Sequence, residues 1–287
     1  MTQAATGAAP IGIDRSETLR AWLLVGPAIL FIGALFVLPL IRIVVTSVTD
    51  PTVSLRNYVE FFSAGLYARV LANTIYTAFT VTVCCLLLGY PLAYVIVRRG
   101  GTLAVILLLV VGMSFWTSFL VRTYAWMVIL GNRGPVVAAF HWFGVEPAPQ
   151  VLYTRFSSTL GMVHILIPYM VMSLYAAMRK INPDHLRAAA SLGASPFQAF
   201  RNVYFPLSLP GVVNGCTLVF IICLGFYVTP VLLGGPRDQM IAGLIGEQIQ
   251  ELLEWGLASA MAVVLLATTL GLLAIYNRLV GLDKLWG

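Results

Sequence analysis

The sequence predicts an all-α integral membrane protein with six transmembrane helices. Of its 287 residues, 60% are hydrophobic and only 10% are charged, and the mean hydropathy is +0.91. A soluble domain carries about 25% charged residues, so a soluble fold of this composition could not cover its surface. The apolar residues also form continuous runs rather than the two-residue alternation of membrane β-barrel strands, which favours helices.

Six apolar runs reach the length that a bilayer requires, which is about 20 residues. They cover residues 21–41, 70–97, 100–121, 156–178, 202–236 (with an apolar centre at 209–233) and 255–277. We therefore predict an amino-terminal tail over residues 1–20, a single six-span domain over residues 21–281 and a short carboxy-terminal tail over residues 282–287.

The charges outside these runs predict the orientation. The segments on the side of the amino terminus hold ten basic and four acidic residues, whereas the opposite side holds seven of each. Because basic residues are enriched in cytoplasmic segments, we expect the amino terminus in the cytoplasm. The net charge of +6 then reflects topology, and it gives no reason to expect a nucleic acid as a partner.

The sequence offers no signal for catalysis or for metal binding. Neither lysine, Lys180 or Lys284, follows a glycine-rich phosphate loop, and the three histidines lack the spacing of metal ligands. Cys216 and Cys223 are about 10.5 Å apart along a helix, too far for a disulfide. His164, inside a span, is expected to form an interhelical hydrogen bond. We expect no catalytic residue, metal site or cofactor in this chain.

The segment between the fourth and fifth runs carries strong local signals for two short helices. Asn182 followed by Pro183 is a favoured pairing of a helix cap and a first turn. Gly193 can end that helix in a left-handed conformation. Ser195 and Pro196 then repeat the capping signal, which predicts a second short helix.

This segment also predicts exposed apolar side chains. Pro206 and Pro210 are expected to break the chain before the fifth span. Leu186, Phe197 and Phe200 are expected to be exposed, since too little chain surrounds them to bury them. From these features alone, the segment is either a docking element for a partner or an amphipathic connector on the lipid surface.

The same segment resembles the EAA loop of ABC-importer permease subunits, whose pattern is E-A-A-x-x-x-G followed by a hydrophobic, proline-containing stretch. In that family the loop forms coupling helices that sit in a cleft of the ATPase subunit. The glutamate of the pattern is replaced by Arg187, which puts in doubt any ion pair that the glutamate would make. The resemblance implies a cytoplasmic coupling-helix loop over residues 182–208, with coupling residues Leu186, Arg187, Ala188, Ala189, Gly193, Phe197, Phe200, Pro206, Pro210 and Gly211.

Three further segments, at residues 89–94, 115–126 and 230–235, resemble the spermidine/putrescine-type permease that is the first of its pair. The resemblance implies a subunit of an ATP-driven importer in the bacterial inner membrane, for a small and cationic, polyamine-like solute. It also implies three partners: an ATPase pair that binds ATP and Mg, a second homologous permease and a periplasmic solute-binding protein. An amino-acid-like or other small polar solute is the alternative within the family.

Two groups of side chains are candidates for the substrate pathway or its gate. The first lies around the end of the third run, where an arginine among aromatic residues forms either an outer gate or an interfacial anchor. The second, in the fifth run, forms either a constriction or ordinary helix packing. The residues are Trp116, Arg122, Tyr124 and Trp126 in the first group, and Phe226 and Tyr227 in the second.

Acidic residues after the fifth run are candidates for contact with the binding protein. These are Asp238, Glu247 and Glu251. Glu247, Glu251 and Glu254 are four and three residues apart, which is the spacing of one helix face. A solvated helix face is the alternative. Since no aspartate or glutamate lies inside the six runs, recognition of a polyamine's charge is expected in the binding protein and the sister subunit.

Two other classes of function are alternatives for a chain of this composition. A self-sufficient secondary transporter or channel would need buried titratable or ion-coordinating residues, and a membrane-embedded enzyme would need a clustered polar site. The runs contain almost none of these groups, so the sequence favours the permease subunit.

Overall fold

The computed structural model describes residues 15–280, with side-chain surroundings given for residues 22–276 and 278. This part of the chain is helical and contains no strand. Its helices are α1 (Arg15–Thr49), α2 (Arg56–Ser63), α3 (Leu66–Arg99), α4 (Gly101–Trp116), α5 (Phe119–Leu130), α6 (Pro135–Trp142), α7 (Arg155–Met178), α8 (Asp184–Ser191), α9 (Pro196–Ala199), a π-helical turn (Phe200–Tyr204), α10 (Phe205–Leu224), α11 (Val228–Leu233), α12 (Ile241–Gln250) and α13 (Trp255–Val280).

Among the described residues, five helical segments are long and apolar enough to cross a membrane, and the number is six if the bent pair of segments at residues 101–116 and 119–142 is counted as one span. The five segments are Trp22–Thr49, Leu66–Arg99, Arg155–Met178, Pro196–Leu224 and Trp255–Tyr276. The all-α membrane fold is therefore confirmed. The predicted carboxy-terminal tail at residues 282–287 lies outside the described residues, and so do residues 1–14 of the predicted amino-terminal tail. The rest of that tail, residues 15–20, is the first part of α1.

The centre of the fold is the packing of α3, α7 and α10 around one apolar core. Small residues let these helices approach closely. A Cβ on Gly211 would lie 2.6 Å from Cβ of Ala177, and one on Gly215 would lie 2.7 Å from Sδ of Met170. Gly211 and Gly215 are four residues apart, which is the small-x-x-x-small spacing of close helix contacts in membranes, and they bring the fifth span against α7.

A second apolar cluster joins α2, α3, α12 and α13. Phe61, Ile241 and Met261 are fully buried there. By contrast, the apolar side chains of α1 between Trp22 and Val45 are almost all exposed within this chain. Lipid or another protein chain must cover them in a membrane, because contact with water would be unfavourable.

The third span differs from the prediction. Instead of one helix over residues 100–121, α4 ends at Trp116 and α5 continues from Phe119 after a bend of 100°. With 16 residues, α4 is about 24 Å long, which is shorter than the hydrocarbon core of about 30 Å. The reason for the bend lies in contacts of Arg122, described below.

The fifth span also differs. Pro206 and Pro210 do not break the chain: the helical segment runs from Pro196 to Leu224 and includes both prolines. The π-helical turn Phe200–Tyr204 lies directly before α10, and its i→i+5 bonding shifts the hydrogen-bond pattern just ahead of the missing N–H of Pro206. At the other end, α10 stops at Leu224, nine residues short of the predicted apolar centre's end at Leu233.

Candidate functional site

The loop between α7 and α10 folds as its local signals predict. The side chain of Asn182 accepts a hydrogen bond from the Asp184 N–H at 2.9 Å at the start of α8. Gly193, with φ +83°, ends this helix in the left-handed region. Ser195 and Gln198 then cap each other's backbone N–H groups at 2.8 and 3.3 Å, which begins α9. The first predicted short helix is present as α8, whereas the second is only the first turn of the continuous helical segment Pro196–Leu224.

The exposure of the apolar side chains in this loop was predicted only in part. Phe197 is 69% exposed, as expected. Leu186 and Phe200 are instead half-buried against the main core, so their predicted exposure is wrong. Leu192, which was not singled out, is 89% exposed at the end of α8. The exposed apolar surface of the loop is therefore formed by Leu192 and Phe197.

Phe200 is buried by an aromatic cluster that we call the aromatic clamp, formed by Tyr90, Tyr94, Phe200 and Tyr204. The ring of Phe200 meets those of Tyr90 and Tyr94 edge-on, at centroid distances of 6.2 and 5.5 Å. Tyr204 meets Tyr94 edge-on at 5.0 Å. Such pairs add stability beyond the burial of their area, so the clamp fixes the π-helical turn on α3.

A hydrogen bond extends the aromatic clamp into the fifth span. The hydroxyl groups of Tyr90 and Ser208 lie 2.9 Å apart. Tyr90 and Tyr94, the two clamp residues on α3, belong to the family-like segment at residues 89–94. The sequence predicted no packing role for them. Their spacing of four residues on a helix was the signal that both face the same side.

Arg187, which stands where the family pattern has glutamate, pairs within its own helix. Its Nη1 lies 3.2 Å from Oδ1 of Asp184, and both side chains are largely exposed. The three-residue spacing brings the two groups together on one face of α8. The charge reversal is therefore accommodated by an ion pair within α8.

At the bend after α4, Arg122 binds the end of the preceding helix. Its Nη1 donates to Oγ of Ser114 at 2.9 Å, and its Nη2 donates to the carbonyl oxygen of Thr117 at 3.3 Å. The carbonyl groups at a helix end lack intrahelical donors and carry partial negative charge, so a guanidinium group there is favourable. Arg122 thus stabilises the bend, a role that neither alternative in the sequence analysis included.

The other three members of this candidate group divide into a packed and an exposed set. Trp126 donates through Nε1 to Nδ1 of His164 at 3.0 Å, which joins α5 to α7. The predicted interhelical hydrogen bond of His164 is therefore confirmed. Trp116 is 91% exposed, and Tyr124 is also exposed. These two rings are available to a solute, a partner or lipid.

Phe226 and Tyr227 lie in the connection between α10 and α11, not inside a span. Phe226 packs against the main core. Tyr227 lies over α12, where a Cβ on Gly246 would be 3.4 Å from its Cε2. Since the helix has already ended at Leu224, the two aromatic residues follow the fifth span and cannot constrict its middle.

Asp238 is held in a polar network instead of being available on the surface. Its carboxylate lies 3.0 Å from Nε of Arg155 and accepts a second hydrogen bond from the Gly235 N–H at 3.1 Å. The guanidinium group of Arg155 also lies over the ring of Tyr76, 5.1 Å from its centroid. The network ties the segment after α11 to α3 and α7.

The predicted shared helix face holds for two of the three glutamates: the Glu251 N–H still bonds to the Glu247 carbonyl oxygen at 2.9 Å, one helical turn away, whereas Glu254 lies beyond the end of α12. Glu247 lies in this helix and accepts a hydrogen bond from Nε2 of Gln239 at 2.8 Å. Glu251 and Glu254 follow the helix and are exposed. The segment after Glu251 connects α12 to α13 and takes Glu254 out of the helix.

The fold is shared with chains of two solved ABC transporters. A chain of the importer of the acidic polysaccharide alginate superposes with a TM-score of 0.71 at 18% identity, covering 92% of this chain and 96% of the other. A chain of the methionine transporter MetNI, in an inward-facing conformation, superposes with a TM-score of 0.55 at 19% identity, covering 74% and 94%.

Sequence relatives are closer. The spermidine/putrescine transport system permease protein PotB of Salmonella typhimurium (strain SL1344) is 33% identical over 78% of each chain. PotB of Escherichia coli (strain K12) is 32% identical over 78% of this chain and 82% of its own. The inner membrane ABC transporter permease protein YdcU of the same strain is 28% identical.

A family-wide comparison agrees with these pairwise similarities. The pattern of the binding-protein-dependent transport system inner membrane component matches residues 86–281, which include the loop, the aromatic clamp and the last span. Since this match covers more than half of the 287 residues, the chain belongs to the family of inner membrane components of binding-protein-dependent transport systems.

Proposed function

We propose that this permease subunit of an ABC importer works by alternating access, driven by a separate pair of ATPase subunits that dock on α8 and α9. The observation that carries the proposal is an exposed apolar surface on a loop that is otherwise fixed to the core. Leu192 and Phe197 form this surface. Exposed apolar groups beside a membrane protein's polar loop are typical of a contact site for another protein.

The aromatic clamp provides the mechanical link in this mechanism. A push on α9 would act on the π-helical turn, and the clamp would pass the movement to α3 through Tyr90 and Tyr94. The continuous helix from Pro196 to Leu224 would carry the same movement into the membrane. Closely packed elements transmit displacement in this way, because their contacts leave little room for independent motion.

The assignment of partners extends this scheme. ATP and Mg would bind to the ATPase pair, and this chain would supply neither a catalytic residue nor a cofactor site. The second permease and the solute-binding protein would complete the transport path, with the amino terminus and the docking loop in the cytoplasm. The exposed apolar surface of α1 is consistent with contact to lipid and to a second permease.

For the solute, we propose a small organic cation of the polyamine class. The names of two relatives, which are 33% and 32% identical to this chain, include spermidine and putrescine. Exposed aromatic rings at Trp116, Tyr124 and Tyr227 are suited to a cation, since ammonium groups are attracted to aromatic faces. Charge recognition would fall largely to the partners, with Glu247 and Glu251 as contacts for the binding protein.

The ATPase contact is tested by co-purification. The chain is tagged and expressed with the other genes of its operon, and the ATPase recovered in mild detergent is measured for Phe197→Ala and for Phe156→Ala. Both phenylalanines are largely exposed, but Phe156 lies at the opposite end of the membrane, at the start of α7. We expect Phe197→Ala to reduce the amount of recovered ATPase at least tenfold, as for an interface hot spot, and Phe156→Ala to leave it unchanged.

The solute proposal is tested by transport into proteoliposomes that contain the complete complex. Trp116→Ala and Tyr227→Ala are expected to slow ATP-dependent uptake of spermidine, while Trp142→Ala, an equally exposed tryptophan on α6, serves as the control. Equal uptake by all three variants would remove the proposed pathway. Uptake by the purified chain without ATP would instead establish a secondary transporter or channel.

A further inference from the structure

A cavity of about 510 Å³ opens beside the docking loop, at the ends of α3 and α7 and the start of α4. It is separate from the proposed ATPase surface, since neither Leu192 nor Phe197 lines it. Pro183 and Leu186 of the loop do line it, so whatever fills the cavity contacts the first coupling helix.

One end of the cavity is strongly cationic. Arg98 and Arg179 line it, and neither has an acidic partner within 4.0 Å among the described residues. The acid on the adjacent helix, Asp184, is already paired with Arg187. Two arginines without carboxylates are suited to an anion that can accept several hydrogen bonds, such as a phosphate group.

The start of α4 adds backbone donors at the same end. This 16-residue helix begins after Gly100, and no side chain caps its first turn. Gly100 and Gly101, with φ of +60° and +59°, also line the cavity. The N–H groups at a helix start carry partial positive charge, so they reinforce the attraction of the arginines for an anion.

A buried hydroxyl group without a protein partner also lines this cavity. Tyr204 is 2% exposed, it lines the cavity, and its hydroxyl oxygen has no hydrogen-bond partner in the described part of the chain. Leaving a buried hydroxyl unsatisfied is unfavourable, so such groups usually have a partner. A ligand oxygen would provide one.

The rest of the cavity wall is apolar and lies along the membrane. Ala104, Val105 and Leu108 of α4 line it, together with Val97 near the end of α3. Val105 is exposed to the surroundings of the helix bundle. A free phosphate ion or a nucleotide would leave this apolar wall uncovered, whereas an acyl chain would cover it.

We propose that this cavity binds an anionic phospholipid, with the phosphate between Arg98, Arg179 and the start of α4, and an acyl chain along the apolar wall of α4. Basic pockets between transmembrane helices at the cytoplasmic surface are suited to such headgroups. The proposal depends on the proposed function only for the assignment of this side to the cytoplasm. The bound lipid contacts Leu186 and thereby stabilises the position of α8.

The test counts phospholipids that remain bound to the detergent-purified complex. Phosphatidylglycerol per complex is measured by mass spectrometry for the wild type, for Arg98→Gln with Arg179→Gln, and for a control with Arg201→Gln and Arg278→Gln. The control arginines are exposed on the same side and do not line the cavity. We expect roughly a fivefold weaker retention for each cavity arginine removed and no change in the control. Equal retention in all three proteins would overturn the proposal.

A second variant and a second readout identify the source of the phosphate. The thermal stability of the complex is measured with added phosphatidylglycerol, with phosphatidylcholine or with inorganic phosphate. Only phosphatidylglycerol is expected to stabilise the wild type, and the gain is expected to fall at least twofold in Tyr204→Phe. Equal stabilisation by inorganic phosphate would overturn the lipid assignment in favour of a phosphate site.

The same preparations keep this proposal apart from the ATPase proposal. Loss of the ATPase from the double arginine variant, with phosphatidylglycerol retention unchanged, would show that a protein segment occupies the cavity and would overturn the lipid site. Loss of phosphatidylglycerol with the ATPase still present supports the lipid site. The co-purification of wild-type complex with an ATPase is scored separately, so either proposal can fail alone.

Discussion

The π-helical turn at Phe200–Tyr204 and the bend at Thr117–Ser118 both interrupt regular helical hydrogen bonding, but with opposite results. Near the first, two prolines remove backbone donors, and the helix nevertheless continues to Leu224. Near the second, neither proline nor glycine is present between Ser114 and Leu130, and the chain turns by 100°. Proline content therefore does not decide where a membrane helix breaks in this protein.

The difference lies in what surrounds each interruption. The aromatic clamp and the bond between Tyr90 and Ser208 hold the π-helical turn against α3. At the bend, Arg122 reaches back to Ser114 and to the carbonyl oxygen of Thr117. In a membrane, a free backbone group must find a partner within the protein, so the available partner determines the path of the chain.

The largest effect is expected from removing the close packing that keeps the fifth span continuous. Gly211→Val places a side chain where a Cβ alone would be 2.6 Å from Ala177, and we expect a loss of about 3 kcal/mol in the apparent free energy of unfolding. Gly112→Val is the control, because nothing lies within 4 Å of its Cβ position. Similar unfolding curves for both variants would contradict the packing explanation.

Arg122→Met tests the bend directly. The variant loses the hydrogen bonds to Ser114 and Thr117, and we expect unfolding to become about 2 kcal/mol easier, as for bonds made by a charged group. Arg133→Met, at an exposed arginine beyond the bend, is the matched control. If both variants unfold at the same denaturant concentration, Arg122 does not stabilise the bend.

A smaller effect is expected from the hydroxyl pair that anchors the π-helical turn. Tyr90→Phe and Ser208→Ala each remove one partner of the 2.9 Å contact, and each should lower the free energy of unfolding by about 1 kcal/mol. The double variant should lose less than the sum of the two single variants, because both remove the same bond. Strict additivity in this cycle would mean that the contact contributes no stability.

The smallest effect is expected for Pro206→Ala. The restored N–H can form one hydrogen bond, which stabilises the folded protein, while the loss of proline makes the unfolded chain more flexible, which destabilises the folded protein. The two contributions should nearly cancel, so we expect the free energy of unfolding to change by no more than about 0.5 kcal/mol. The measurement is again the unfolding free energy in detergent. A gain of more than about 2 kcal/mol would show that the proline, and not the aromatic clamp, imposes the π-helical turn.

The starts and ends of the loop helices could be predicted because their signals are local. Asn182, Gly193 and Ser195 act on backbone groups within three residues of themselves, and each does so as expected. The burial of Phe200 could not be predicted in this way. Its partners Tyr90 and Tyr94 lie more than 100 residues earlier in the chain.

The sequence by itself determined the all-α membrane class, the approximate spans, the caps of α8 and α9 and the close approach at Gly211 and Gly215, since these depend on composition and on neighbours in the chain. Only the tertiary structure decided the bend after Trp116, the helix through Pro206, the end of α12 before Glu251 and the pairing of Asp238 with Arg155. Each of these four features depends on which distant group bonds to a polar atom or packs against a side chain. The spacing of residues along the chain does not identify that distant partner.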